Sequence, residues 1–276
     1  MNKVYPTDVT DEQWAVIEPL IPPAKHGGAP RTVNLRSVFN TILYLNKTGC
    51  QWAMLPKDLA KRSTAFDYFS AWKKDGTWQN IMDTLRRQVR VAAGREAEPQ
   101  KAAIDSQTVK GSEAGGPRGY DGGKKVTGRK RQVLVDTEGN LLKTKVHPAD
   151  IHDKPGGMLL LSFLHLLFPA ITLVWADTSY QGLKTWIKET LGWTLTIAKH
   201  WWTGVQGFWC APGQQPPVIP SGFHVLPRRW VVERTFAWLS RNRRLAKDYE
   251  RLPETGQTFI YMAMSRILIK RLAKAP

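Results

Sequence analysis

The sequence predicts an α/β fold preceded by a small all-α portion, and two changes of pattern along the chain predict it. Up to about residue 91, apolar side chains recur only at helical spacing, whereas from Ala102 onward short β-type runs alternate with helical stretches. Residues 92–100 between them are small and charged, without an apolar period, and read as a linker. A helical domain is therefore expected over 1–96 and an α/β domain over 97–276. The 276 residues are enough for each to bury a core.

Thr10, Asp11, Glu12 and Gln13 have the spacing of a capping box. They open a short helix through Trp14, Ile17 and Leu20 that Pro22 and Pro23 end. A second helix, over 34–47, has Leu35, Val38, Phe39, Ile42, Leu43 and Leu45 at its apolar positions. Ser63 is expected to cap a third through Phe66, Tyr68, Phe69 and Trp72, and Gly76 separates it from a fourth over 77–91. Short helices in tight turns, with Lys57, Lys61, Arg62, Lys73 and Lys74 flanking the third, suit a helix-turn-helix-like DNA reader.

Beyond the linker, Ala102, Ala103 and Ile104 form a buried-strand signal ending at Asp105 and Ser106. A Gly-rich basic loop over 111–128 leads to a strand over 132–135. Asp136 to Asn140 carry hairpin-turn chemistry, and a returning strand spans 142–146. A helix over 158–167 follows, with Asp153 as its expected cap. Next come a strong strand over 171–176 that stops at Asp177, a helix over 183–191 and a strand over 193–198. The result is a mixed five-stranded sheet flanked by helices. The last helix, over 255–272, is apolar at Phe259, Met262, Ile267 and Ile269 and basic elsewhere.

The helix before it carries Glu233. At about 100° per residue, Val232, Phe236 and Leu239 make one apolar row, with Val231, Thr235 and Trp238 beside it, as in a helix lying on a sheet. Glu233 sits at the edge of that stripe and shares its face with Arg229, Ala237, Ser240 and Arg244. Taken alone, this also describes an Arg–Glu surface pair of small energetic weight.

Lys and Arg total 40 against 23 Asp and Glu, a net charge of +17, which favours a polyanionic partner, nucleic acid first. No stretch reads as a signal-peptide core, a lipid anchor or a membrane span, so no membrane partner is expected. Cys50 and Cys210 make neither metal nor redox spacing. Together these features suit a cytoplasmic protein.

Asp105 and Asp177 end two strands, and strand ends near a topological switch share a crevice. Glu233 would enter the same crevice from a helix on the sheet. Carboxylates so gathered need a cation among them, and hard oxygens suit Mg²⁺ or Mn²⁺. Two such ions about 3.5–4 Å apart clamp both oxygens of an in-line phosphoryl displacement.

That strand order, with acids in these three places, resembles the RNase H-like fold of DDE transposases. The strings sharpen the likeness to the bacterial insertion-sequence-five family. They are Ile104-Asp105-Ser106-Gln107, Gly123-Lys124-Lys125 with Gly128-Arg129-Lys130-Arg131, the stretch from Val146 to Asp153, Ala176-Asp177-Thr178-Ser179-Tyr180-Gln181-Gly182, and Arg229-Trp230-Val231-Val232-Glu233-Arg234. Asp11-Glu12-Gln13-Trp14 and Gly49-Cys50-Gln51-Trp52 resemble the helical domain that precedes such catalytic domains, so the likeness covers nearly the whole chain.

The resemblance implies a metal-binding catalytic triad of Asp105, Asp177 and Glu233, with Asp105 bridging two Mg²⁺ ions that Mn²⁺ can replace. It implies a transposase that binds the terminal inverted repeats of an insertion sequence, cuts at its ends and joins the 3′-hydroxyls to target DNA. Double-stranded DNA is the implied partner, with a homodimer in the synaptic complex and action in the bacterial nucleoid. Related elements carry Tyr-x2-Arg-x3-Glu-x6-Lys around the glutamate. Here Arg229 and Glu233 keep the spacing, Leu226 stands for the tyrosine and Ser240 for the lysine, and Arg241 or Arg244 is expected to supply the missing cation. The expected DNA contacts are Lys124, Lys125, Arg129, Lys130 and Arg131 of the Gly-rich loop, Arg229, Arg234, Arg241 and Arg244 around Glu233, and Lys61, Arg62 and Lys73 of the third helix.

Two further clusters read as structural. His147, Asp150, His152 and Asp153 suit a strand-to-helix turn with capping groups better than a metal site. The basic and aromatic run over 199–209 suits core packing of an insertion better than base stacking. A hydrolytic nuclease on the same fold and a retired transposase kept as a DNA-binding regulator are the alternatives. Intact acids at all three positions argue against the second.

Overall fold

A computed structural model describes residues 5–24, 27, 30–198, 209–211, 213–215, 218 and 230–273. The N-terminal helices are α1 (Asp11–Ile17), α2 (Leu35–Thr48), α3 (Arg62–Lys74) and α4 (Thr77–Ala92). Thr10 and Gln13 close the expected capping box on α1 through bonds of 3.3 and 3.1 Å. Asn34 caps α2, which ends at Gly49 in the left-handed region (φ 73°). Glycine fits there for a second reason, since a Cβ would lie 3.1 Å from the Arg243 backbone. α3 starts one residue before the expected cap: Lys61 is the cap residue, without a side-chain bond, and Ser63 lies inside the first turn.

The sheet contains β1 (Lys101–Lys110), β2 (Gly119–Asp121), β3 (Val126–Asp136), β4 (Leu141–Pro148), β5 (Leu173–Ala176) and β6 (Thr194–Ile197). These are the five expected strands and a short sixth, β2, inside the Gly-rich segment. β3 lies antiparallel between β1 and β4, with β2 pairing its first residues, while β5 and β6 run parallel to β1. β3 begins six residues earlier than the apolar pattern indicates, because its first half is Gly128 and basic side chains. Gly128 is required there by close approach, since a Cβ would sit 2.0 Å from the Val109 carbonyl oxygen.

Helices α5 (Asp153–Leu161), α6 (Leu164–Leu167) and α7 (Lys184–Leu191) cover one face of the sheet and share a core with Ile104, Leu134 and Val174. The single helix expected over 158–167 is instead two pieces, broken at Phe163 in the left-handed region (φ 63°). The helix also starts earlier than expected, with His152 at its cap and Asp153 in its first turn. Helices α8 (Trp230–Ser240) and α9 (Pro253–Leu272) lie on the other face.

α9 departs most from its sequence pattern. It is buried along 258–265 on all sides, because α1, α2 and α4 pack on it opposite β4. One apolar cluster therefore runs from Val38 and Phe39 in α2 through Phe259 and Met262 to Val133 and Trp175 in the sheet. The segment after α4 is also tied down, with Arg90 donating to the Glu96 carbonyl at 2.8 Å and Arg86 to that of Ala97 at 3.2 Å.

Candidate active site

Parallel pairing of β1 with β5 sets Ala103 opposite Trp175. Two residues further along each chain stand Asp105, inside β1, and Asp177, just past the end of β5. β1 does not end at Asp105. It continues to Lys110, paired only with β3, while β5 stops at Ala176. The pair thus lies just beyond the last paired residues of two neighbouring strands. Asp177 is held as a cap, accepting from Ser179 N at 2.9 Å at the head of a 3₁₀ turn, Thr178–Leu183. Asp105 Oδ1 accepts the Ser106 N–H at 2.7 Å.

Glu233 reaches this face on α8. Val231, Val232, Thr235, Phe236 and Leu239 of that helix are buried, and Val231, Val232 and Phe236 join the cluster containing Ala103, Val133, Val135 and Trp175. The expected double row is buried, with Trp238 only half covered, and Glu233 itself is exposed. Carboxylate oxygens are hard donors of the kind divalent cations take, and α8, which carries Glu233, packs on the sheet that carries Asp105. Among the described residues no three His, Cys, Asp or Glu groups close into one ligand shell.

The electrostatics of the pair are visible at Tyr180. Burial, and then the nearby carboxylates of Asp153, Asp105 and Asp177, hold its hydroxyl well above the usual phenol pKa. Tyr180 therefore stays a proton donor beside the two acids.

The expected DNA contacts divide sharply. Lys61 and Arg62 are exposed at the start of α3, and Arg241 is exposed just after α8. Lys124 and Lys125 are exposed on the β2–β3 turn, where Asp121 accepts the Gly123 and Lys124 N–H groups at 3.0 Å and Lys125 takes a left-handed φ of 55°. Lys73 is half-buried and donates to Thr255 Oγ1 at 3.2 Å. Arg229 lies outside the described residues, as do Leu226 and most of the run over 199–209.

Arg129, Lys130 and Arg131 are corrected from loop to strand. They belong to β3 and are only 2, 5 and 3 % exposed. Strand alternation sends the two arginines to one face and the lysine to the other. Arg129 donates to the carbonyls of Pro117, Glu250 and Arg251 at 2.7, 2.7 and 2.6 Å, and Arg131 to those of Leu245 and Lys247 at 2.7 and 3.1 Å. Burial pushes the Arg131 guanidinium down to about 10. Lys130 Nζ lies 3.3 Å from Asp153 and 3.8 Å from Asp121.

Arg234 and Arg244 are likewise engaged internally. Arg234 lies over the rings of Trp230 and Trp238, 4.2 and 4.6 Å from their centroids, and donates to the Glu138 carbonyl at 2.9 Å. Arg244 bonds Glu250 at 2.6 Å and the Cys50 carbonyl at 3.0 Å. Sequence reasoning missed Ser106, Gln132 and Tyr180 and read Asp153 only as a cap, although Ser106, next to Asp105, bonds Asp153, and Gln132 bonds both Asp153 and Tyr180. No periodicity marks them. Only their place beside Asp105 and Asp177 could have done so.

Comparison with known proteins accords with this geometry. A family described as "Putative transposase of IS4/5 family" matches residues 9–82, and two described as "Transposase DDE domain" match 96–199, which holds Asp105 and Asp177, and 211–270, which holds Glu233. A Burkholderia cepacia protein named "Insertion element IS402 uncharacterized 16.2 kDa protein" is 31% identical over 115 residues, covering 39% of this chain and 76% of its own length. No solved structure matches. Among the described residues no helix is long and apolar enough to cross a membrane. By the relative and the matched domains alike, this chain belongs to the IS4/5-family transposases, metal-dependent DNA-cleaving enzymes whose DDE domain has the RNase H-like fold.

Proposed function

We propose that the protein binds the terminal inverted repeats of its insertion sequence, cuts at the element's ends and joins the freed 3′-hydroxyls to target DNA by transesterification at the same site. The observation that carries this reading is that Asp105 and Asp177 each stand two residues beyond the last β1–β5 pair, Ala103 with Trp175, against which α8, the helix of Glu233, packs. Those three carboxylates would hold two Mg²⁺ ions, replaceable by Mn²⁺, with Asp105 shared. When bound, the ions supply charge neutralisation for both the attacking and the leaving oxygen of an in-line displacement.

The chain's own residues do the rest. The Ser106 N–H orients one Asp105 oxygen, and the Ser179 N–H orients one Asp177 oxygen. Residues 1–96 read the ends, with α3 and its flanking Lys61 and Arg62 as the reader, and residues 97–276 carry catalysis and general affinity. The continuous core through α9 would couple these two parts rigidly. A homodimer in the cytoplasm pairs the two ends.

The test is single-turnover cleavage of end DNA in Mg²⁺ by Asp105→Ala, Asp177→Ala and Glu233→Ala. Each should lose cleavage and keep DNA binding. Wild-type cutting by any one of them would remove that residue from the triad.

A further inference from the structure

Behind the two aspartates the far face of the sheet changes character. It is apolar at Ile104, Leu134 and Val174, yet beside Asp105 it turns polar. Ser106 follows Asp105 and so projects to that face, where its Oγ donates to Asp153 Oδ1 at 2.6 Å. Gln132, paired with Ser106 in the β1–β3 register, reaches the same oxygen through Nε2 at 3.4 Å. Its Oε1 accepts the Tyr180 hydroxyl at 2.5 Å, and Tyr180 stands in the turn that Asp177 opens. Lys130 Nζ, 3.3 Å from Asp153, balances the charge.

A buried amide, phenol and ammonium around a half-buried carboxylate are costly unless each is partnered, and apolar side chains would fill the space more cheaply if packing were the only need. The helix above is also shaped for this knot. A Cβ at Gly156 would lie 2.5 Å from Gln132 Nε2, so with glycine there α5 comes down onto Gln132 without displacing its amide. The knot joins the residue after Asp105 to the turn after Asp177.

We propose that Asp153 is a positioning residue for the metal site. Through Ser106 it fixes the peptide whose N–H holds Asp105, and through Gln132 and Tyr180 it fixes the turn that begins at Asp177. The separation of the two carboxylates is thereby set from behind the sheet. This rests on the reading of Asp105 and Asp177 as ligands. Its consequence is that loosening the knot weakens metal binding before it weakens the fold.

The experiment is calorimetric titration of the DNA-free full chain with Mn²⁺, beside single-turnover cleavage across a Mg²⁺ series, for Asp153→Asn, Tyr180→Phe and Asp105→Asn. Asp153→Asn and Tyr180→Phe should bind DNA normally, bind Mn²⁺ at least about tenfold more weakly, a difference of about 1.4 kcal/mol, and regain cleavage at raised Mg²⁺. Tyr180→Phe keeps the ring and loses only the hydroxyl, so it decides the matter if Asp153→Asn does not fold. Wild-type Mn²⁺ affinity in these variants, even with a lowered melting temperature, overturns the positioning role. Asp105→Asn should not cleave at any Mg²⁺ concentration. If it cleaves and binds Mn²⁺ as the wild type does, the ligand assignment itself fails, which is a separate result.

Discussion

Arg90 Nη1 lies 2.8 Å from Asp136 Oδ2, and both side chains are buried. The pair joins the last turn of α4 to the end of β3, so the helical portion is fastened to the β3–β4 hairpin through it. Asp136 also shapes that hairpin, accepting the N–H groups of Glu138 and Asn140 at 2.8 and 2.9 Å.

Asp136→Ala is therefore expected to cost about 3–5 kcal/mol of stability, since it strands a buried guanidinium and two turn donors. Urea denaturation of the two proteins measures it. A loss under about 1 kcal/mol would place the pair with solvent-exposed bridges instead.

Gly156→Ala sets two effects against each other. Alanine favours a helix by about 0.8–1.0 kcal/mol over glycine. The added methyl would meet Gln132 Nε2 at 2.5 Å and His147 Nε2 at 2.6 Å, and overpacking of that kind costs roughly 1–3 kcal/mol. The clash should win, lowering the melting temperature and slowing cleavage together. A stabilised variant with full activity would show that α5 can lift without disturbing the polar groups beneath.

His147 makes stability depend on pH. Its Nδ1 lies 2.7 Å from the Pro148 carbonyl oxygen, and Nε2 has no hydrogen-bond partner among the described residues. Burial lowers its pKa, with Lys130 and Lys145 adding to that and the Pro148 carbonyl and Asp153 opposing it. Below the ordinary value of about 6.5 the unfolded chain takes up a proton before the folded one does. This contribution is complete above that pH and is lost as pH falls toward the depressed folded value, by at most about 1.4 kcal/mol per pH unit. Urea midpoints between about pH 5 and 8 should fall on the acid side for the wild type, and the fall should be shallower for His147→Gln. Identical profiles would remove His147 as the cause.

Much of this was legible in the sequence wherever one face of an element is wet. The α8 stripe of Val232, Phe236 and Leu239 keeps helical spacing because its other face carries Glu233 and Ala237 in solvent. α9 has no such contrast, since Tyr261, Met262, Ala263 and Met264 are buried on successive faces. β2 and the start of β3 were illegible for another reason. Glycine and basic residues there pair as strand through backbone bonds, and the apolar run that betrays a strand begins only at Val133. The knot around Asp153 joins residues 21 and 47 positions apart, a closeness that only the folded sheet creates.

Arg129 and the pair Lys124 and Lys125 stand close in the chain yet should answer oppositely to substitution. Arg129 spreads its guanidinium over three carbonyls of two chain segments and lies 3.2 Å from Asp248. A lysine ammonium keeps the charge but lacks the fork to reach all three. Arg129→Lys is expected to lose roughly 2–4 kcal/mol of stability, because buried carbonyls go unsatisfied, and to leave the salt dependence of DNA binding unchanged. Lys124→Ala with Lys125→Ala should do the reverse. Melting should stay as it was, since both side chains are exposed on the β2–β3 turn, while the slope of log affinity against log salt should fall by about 0.9 for each phosphate contact removed. Thermal melts and filter-binding titrations at several salt concentrations measure both. An Arg129→Lys protein that melts normally but binds DNA with a shallower salt slope would return Arg129 to the DNA surface and refute its assignment to the interior.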